Sequence, residues 1–232
     1  MHVVNRVVLV MGLIGFRSPA LAQEVQCGVD FLIGVPQGEF RRNVDKTGFG
    51  IVANVGLAPE TIPVMIGIEA GYLNYGSESR REPLSTTIPD VTVDVNTTNN
   101  FVLGHAIVRV QPNVGTVRPY LQGLLGMNYL FTKTTIENRA LPGQEVASDV
   151  NKSDVTFSYG GGVGIMVNVY SGEEEESLRN VLIHAGARYV AGGRAQYLKE
   201  GSIRREAGNV TYDTLESTTD LLSILIGVSF YF

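Results

Sequence analysis

Apolar residues recur at every second position over eight stretches of the chain, and none of these stretches carries the stripe of an amphipathic helix. The stretches are 24–35, 48–58, 64–75, 97–111, 118–132, 154–170, 181–191 and 219–232. In the last, Leu222, Ile224, Ile226, Val228, Phe230 and Phe232 share one face of a strand. Leu221, Ser223, Leu225, Gly227, Ser229 and Tyr231 share the other, because side chains alternate along a strand. The sixth sets Phe157, Tyr159, Val163, Ile165, Val167 and Val169 against Thr156, Ser158, Gly160, Gly162, Gly164 and Asn168. In the sixth stretch small and polar residues thus occupy one whole face.

Two architectures produce this alternation. A soluble barrel or sandwich buries the apolar face and wets the polar one. A membrane barrel turns the apolar face to lipid and the polar face to its lumen. Charge separates them. A wet strand face normally carries Lys, Glu and Thr in quantity. Here Lys46, Lys133, Lys152 and Lys199, all the lysines of the chain, lie between the stretches. Well inside the stretches the charged residues are Asp30, Glu69, Arg109 and Arg188. A narrow lumen with a few paired charges fits this distribution; a solvated surface does not. The links between stretches alternate long and short, as outer loops and periplasmic turns do. "APETIP" (58–63) and "QPNVGT" (111–116) carry turn chemistry, and "SGEEEES" (171–177) reads as a solvated turn. On the apolar face Phe49, Tyr72, Tyr129, Phe131, Phe157, Tyr159 and Tyr189 gather near the long-loop ends, with Phe230 and Phe232 at the opposite rim, as interfacial girdles do. Phe101 falls on the lumen face by parity, which would call for a bulge in that stretch. The pattern predicts an all-β fold: an eight-stranded antiparallel up-and-down transmembrane β-barrel.

Residues 1–22 combine Arg6, an apolar run from Val7 to Phe16 and "ALA" at 20–22, which predicts a cleaved secretory signal peptide and a barrel domain over 23–232. No later stretch reaches the ~20 apolar residues of a membrane helix. The lone cysteine, Cys27, sits among Val25, Val29 and Phe31 and reads as a small hydrophobe. A net charge of −5 without a basic block argues against a nucleic-acid partner.

With its signal peptide, eight strands and final "GVSFYF", the chain resembles the small bacterial outer-membrane β-barrels of the OmpA/OmpX-like superfamily. In that family a glycine followed by two alternating aromatics marks the last strand, and Gly227, Phe230 and Phe232 match, while Leu225 stands where a polar residue is usual. The resemblance implies a bacterial outer-membrane location, lipid around the barrel, and recognition of the last strand by the barrel-assembly machinery.

By parity the lumen receives Gln26, Asp30, Asn54, Glu69, His105, Arg109, Gln122, Asn128, Asn168, His184, Arg188 and Ser223. The bland reading is a polar plug in which Asp30 and Glu69 offset Arg109 and Arg188, with His105 and His184 in the same network. The sharper one is a histidine–carboxylate–nucleophile set built on Ser223. Some barrels of this size modify lipid A, but their deacylases carry His-x-Ser where this chain has "HAI" (105–107) and "HAG" (184–186). The amphipathic helix of the acyltransferases has no room before Val25. No metal-ligand spacing joins the histidines, "YGGGVG" (159–164) lacks the lysine of a phosphate loop, and no cofactor is called for. Gly160, Gly162 and Gly164 make room in the lumen for bulky neighbours or for a narrow pore. A non-enzymatic, monomeric barrel follows, with a structural or surface-interaction role through outer loops 76–96, 133–153 and 192–218. The alternatives are a small porin-like channel for solutes or hydrophobic molecules and, remotely, a lipid-modifying enzyme.

Overall fold

The computed structural model describes residues 23–59, 61–83, 92–138, 145–172, 177–198, 204–206, 209–211 and 213–232; the expected signal peptide and the acidic run 173–176 lie outside them. Strands β1 (Gln23–Pro36), β2 (Gly48–Pro59), β3 (Val64–Pro83), β4 (Thr92–Val110), β5 (Val117–Asn138), β6 (Glu145–Ser171) and β7 (Asn180–Gly192) pair in chain order. An excursion follows through β8 (Arg194–Leu198), β9 (Arg204–Glu206), β10 (Asn209–Thr211) and β11 (Thr214–Thr218), before β12 (Leu221–Tyr231) returns to the ring. There β12 lies antiparallel to both β7 and β1, from Gln26 opposite Tyr231 to Pro36 opposite Leu221. The ring is closed, and its eight strands are those the alternation predicts.

Burial alternates along each wall, as β2 and β12 show residue by residue. Ile66 and Ile68 are each 63 % exposed on the outer face, whereas Glu69 is 6 % exposed inside. Ile51, Leu121, Val163, Ile183 and Ile226 continue the outward apolar belt around the ring. A belt of this extent is incompatible with water and matches a hydrocarbon slab. Ten or eleven tilted residues rise roughly 25–30 Å, enough to cross it. Aromatic pairs stand outside near the long-loop end: Phe31–Phe49, Tyr129–Phe131 and Phe157–Tyr159, with ring centroids 5.4–6.2 Å apart. The barrel spans a membrane.

At the short-turn end Gly115 adopts φ 109°, a conformation that favours glycine, and Asn113 donates to the Pro59 and Ile62 carbonyls of the neighbouring turn. The other end departs from expectation. Residues 76–96 and 133–153 are not simple loops: pairing continues to Pro83 opposite Thr92, and from Glu137 opposite Glu145 back into the wall. Alternation hides this extension because Thr, Ser, Asn and charged residues stand in place of most apolar ones along it. The first long link holds a helix, α1 (Gly38–Asn43), too short to show a stripe. Glu39 in its first turn and Arg41 and Arg42 in its last complement the helix dipole, and Phe40 is fully buried beneath it. Loop 192–218 contains the β8–β11 hairpin.

Phe101 does point inward, as parity has it, but without a bulge in β4; the register shift lies across the ladder between Asn74 and Gly76. The structure therefore corrects the expected cause.

Ile66→Arg, Val163→Arg and Ile183→Arg are each expected to lower unfolding free energy in lipid vesicles by about 2–4 kcal/mol, read by urea titration. Val114→Arg, on a turn tip 81 % exposed, should shift it by less than about 0.5 kcal/mol. Equal losses at all four positions would contradict the facing. Gly67 is no control for tolerance, since a Cβ there would meet the Val55 carbonyl and the Gly56 Cα.

Candidate functional site

Asp30, Glu69, His105, Arg109, His184 and Arg188 all lie inside the ring and all are buried. Gln26, Asn54, Gln122, Asn128 and Ser223 join them, while Asn168 is half-buried at the short-turn end. The polar part of the lumen is shorter than expected. Between these residues and the long-loop end lie Leu32, Val52, Leu73, Leu103 and Leu225, capped by Phe40, Tyr75, Phe101 and Tyr197. The Phe40 ring meets the other three edge-on, with centroids 5.4–5.6 Å away. Toward the short-turn end lie Met65, Ile107, Tyr120, Met166 and Leu182. A lumen expected to be polar is thus a polar layer between two apolar ones. Eight strands enclose a space that side chains nearly fill, and apolar ones fill it without needing partners.

Two groups organise the polar layer. Arg188 Nη1 donates to both Glu69 oxygens at 2.7 Å. The same carboxylate accepts from His105 Nδ1 at 2.9 Å, and His105 Nε2 lies 2.9 Å from Ser158 Oγ. His105 reaches β6 because the residue between it and Ser158 in the ladder is Gly126, with no side chain in the way. In the neutral ring Nε2 accepts the Ser158 hydroxyl proton, so each of the four groups has a partner.

In the second group Asp30 contacts His184 Nε2 and accepts from Asn54 Nδ2 at 3.2 Å. Among the described residues Arg109 has no carboxylate contact, contrary to the expected pairing. Its Nε and Nη2 donate to Gln122 Oε1 at 3.1 and 2.9 Å, and its guanidinium lies 4.8 Å over the Tyr120 ring. Gly164, with Gly186 on β7, makes room for the Tyr120 ring and Gly162 for Arg188 Cβ, whereas a Cβ at Gly160 would meet the Tyr189 carbonyl of the next strand.

Glu69–His105–Ser158 has the carboxylate–imidazole–hydroxyl order of a nucleophilic relay. The sequence reading places Ser223 there instead; Ser223 is buried opposite Arg188 and Gly34, away from both histidine contacts. Nothing in local spacing joins Ser158 to His105, since the contact spans three strands. A nucleophile needs a reachable electrophile, and Ser158 is 0 % exposed between the apolar layers. The three groups pack against one another and, through Glu69, pair with Arg188. Among the described residues no group of three or more His, Cys, Asp or Glu side chains is placed to hold a metal.

Of the terminal motif, Phe230 and Phe232 face outward and Gly227 inward. A Cβ at Gly227 would collide with the Asp30 carboxylate, so this glycine has a packing role of its own. Cys27 lies half-buried on the outer side opposite Phe230.

No protein-family model and no curated protein matches the chain. Among solved structures it is similar to Neisserial surface protein A (10 % identity, TM-score 0.37, covering 90 % of this chain and 95 % of that one). It is also similar to Ail of Yersinia pestis (15 %, 0.37, 90 % and 97 %) and to a major outer membrane protein of Thermus thermophilus (12 %, 0.40, 90 % and 99 %). These superpositions are distant, and the fold rests on this chain's own strand pairing: an eight-stranded up-and-down barrel, as the family resemblance implies.

Arg188→Met leaves a buried carboxylate short of its cation and should lower unfolding free energy by about 3–5 kcal/mol. Ser158→Ala removes one hydrogen-bond partner from His105 and should remove about 1–3 kcal/mol. Urea titration of the vesicle-inserted barrel reads both; losses below about 0.5 kcal/mol in each would contradict the pairing.

Proposed function

We propose that the chain is a monomeric integral barrel of the bacterial outer membrane with a structural or surface-interaction role, exerted through the strands that continue past the bilayer. What supports this reading is the run of buried side chains inside the barrel together with the strand pairing that continues past the bilayer. The apolar layers on either side of the polar one favour it over a porin-like channel, and the burial of Ser158 favours it over a lipid-modifying enzyme.

The extension is knit by polar pairs. Thr97 and Thr134 hydroxyls lie 3.2 Å apart, Thr132 donates to Asn99 at 2.7 Å, and Asn151 donates to Thr134 at 2.6 Å. Beside it Asn43 of α1 donates to the Tyr197 hydroxyl at 2.9 Å, and the Gln196 backbone N–H donates to Asp154 at 2.8 Å. Arg194 donates to Glu216 at 2.9 Å; hydrogen bonds from Arg194 and Gln196 hold the Glu216 carboxyl below its usual range. Helix, hairpin and extension thus form one framed surface. Its strands turn Ser77, Ser79 and Arg81 to solvent, with Arg81 3.7 Å from Asp94.

The terminal motif supports recognition by the assembly machinery, with the outward Phe230 and Phe232 as the recognised rings and Gly227 as the accompanying small residue. Phe232 also closes the seam through its backbone, which exchanges hydrogen bonds with Val25 at 3.0 and 3.1 Å.

In a Cys27→Ala background, Ser79→Cys should react with a membrane-impermeant maleimide on intact cells, and Val114→Cys only after the outer membrane is opened. Labelling of Val114→Cys on intact cells would contradict the proposed orientation. In the same cells Phe232→Ala, which keeps the seam's backbone bonds, should lower inserted yield several-fold while the purified barrel keeps its unfolding midpoint. Unchanged yield would remove the recognition role.

A further inference from the structure

At the short-turn end, opposite the extension, the barrel mouth holds a half-open cavity of about 610 Å³, within the ~300–1,000 Å³ range of ligand pockets. Arg118 is its notable wall. The residue is 4 % exposed, yet among the described residues a single atom of its guanidinium, Nε, donates within the protein, to the Gly115 carbonyl at 3.1 Å. The guanidinium lies 5.9 Å from the Tyr231 ring centroid. Glu24 also lines the mouth but is turned to Arg179, 3.5 Å away. A buried guanidinium normally has its five donors engaged, most often by a carboxylate. Arg118 has its charge, its ring platform and a cavity in front of it, and makes no ion pair with a carboxylate of the described residues.

The orientation is fixed from behind. Tyr231 donates to Gln26 at 3.2 Å and accepts from Gln111 Nε2 at 2.7 Å, which locks the ring against which Arg118 lies. The bond to Gly115 depends on the φ of 109° that turns the β4–β5 link under the guanidinium. With Nε held, the two Nη atoms form the free fork, the geometry that takes the two oxygens of a planar carboxylate. The neutral amides Asn113, Asn168 and Asn180 line the rest of the mouth and suit the polar body of such a molecule.

We infer that the short-turn mouth is a binding site for a small polar organic carboxylate, held by the Arg118 fork over the Tyr231 ring. It reaches the site from the compartment beneath the barrel, because the apolar layer of Met65, Met166 and Leu182 closes the way from above.

The test is equilibrium binding to the folded mature chain in nanodiscs, followed by ligand-observed NMR, with N-acetylalanine, its methyl ester and inorganic phosphate as probes. N-acetylalanine should bind saturably, and the ester, which lacks the anion, at least about tenfold more weakly. Arg118→Lys, which keeps the charge and loses the fork, should weaken N-acetylalanine, and Arg118→Met should abolish it. Absence of saturable binding by the wild-type chain, or equal binding of acid and ester, would overturn the site without recourse to any variant. Phosphate binding as tight as N-acetylalanine would overturn the carboxylate assignment, and unchanged affinity in both variants would overturn the role of Arg118.

Discussion

In hydrocarbon every backbone N–H and C=O must find a partner in the chain itself, and for strands that means a ring with no edge. Here the ring depends on one seam, β1 against β12, which joins opposite ends of the barrel domain and finishes in the Val25–Phe232 exchange. Closure at eight strands then sets the width, and the width decides the interior. Buried side chains line the lumen, two apolar clusters with a polar layer between them.

Filling so narrow a space couples large residues to glycines across strands. Tyr120 lies where Gly164 and Gly186 lack side chains, Leu73 where Gly34 does, and the Asp30 carboxylate where Gly227 does. These glycines are therefore parts of the packing and not breaks in the wall. The same coupling lets ions be buried. Glu69 holds Arg188 and His105 at once, and Gly126 opens the line from His105 to Ser158. Buried pairs of this kind stabilise little against an apolar alternative, but losing one partner is expensive.

The eight wall strands are legible in the sequence because lipid outside and side chains inside impose period two on every strand. Parity alone places all six charged and histidine residues of the polar layer in the lumen. It cannot pair them, since Glu69, His105, Ser158 and Arg188 come from four strands and their contacts depend on depth and on Gly126. The apolar layers are equally encoded, in Leu32, Leu73 and Leu103, but alternation marks a face and does not say what must fill it. Where polar residues stand on both faces the signal fades, which is why the extension past Gly76 reads as loop. Val93 and Val95, alternating with Thr92, Asp94 and Asn96, are its remaining trace, and both are buried. Helix α1 has one inward residue, Phe40, too few to make a pattern.

The stacked lumen is tested most directly by current. Single-channel recording of the mature chain, verified as folded and inserted in a planar bilayer, should show no steps above the bare-membrane baseline, and Arg109→Ala should leave it silent because the apolar layers above and below remain. Reproducible steps from the wild-type barrel, altered in size by Arg109→Ala, would mean that ions pass beside the polar layer and would contradict a lumen closed by its own side chains.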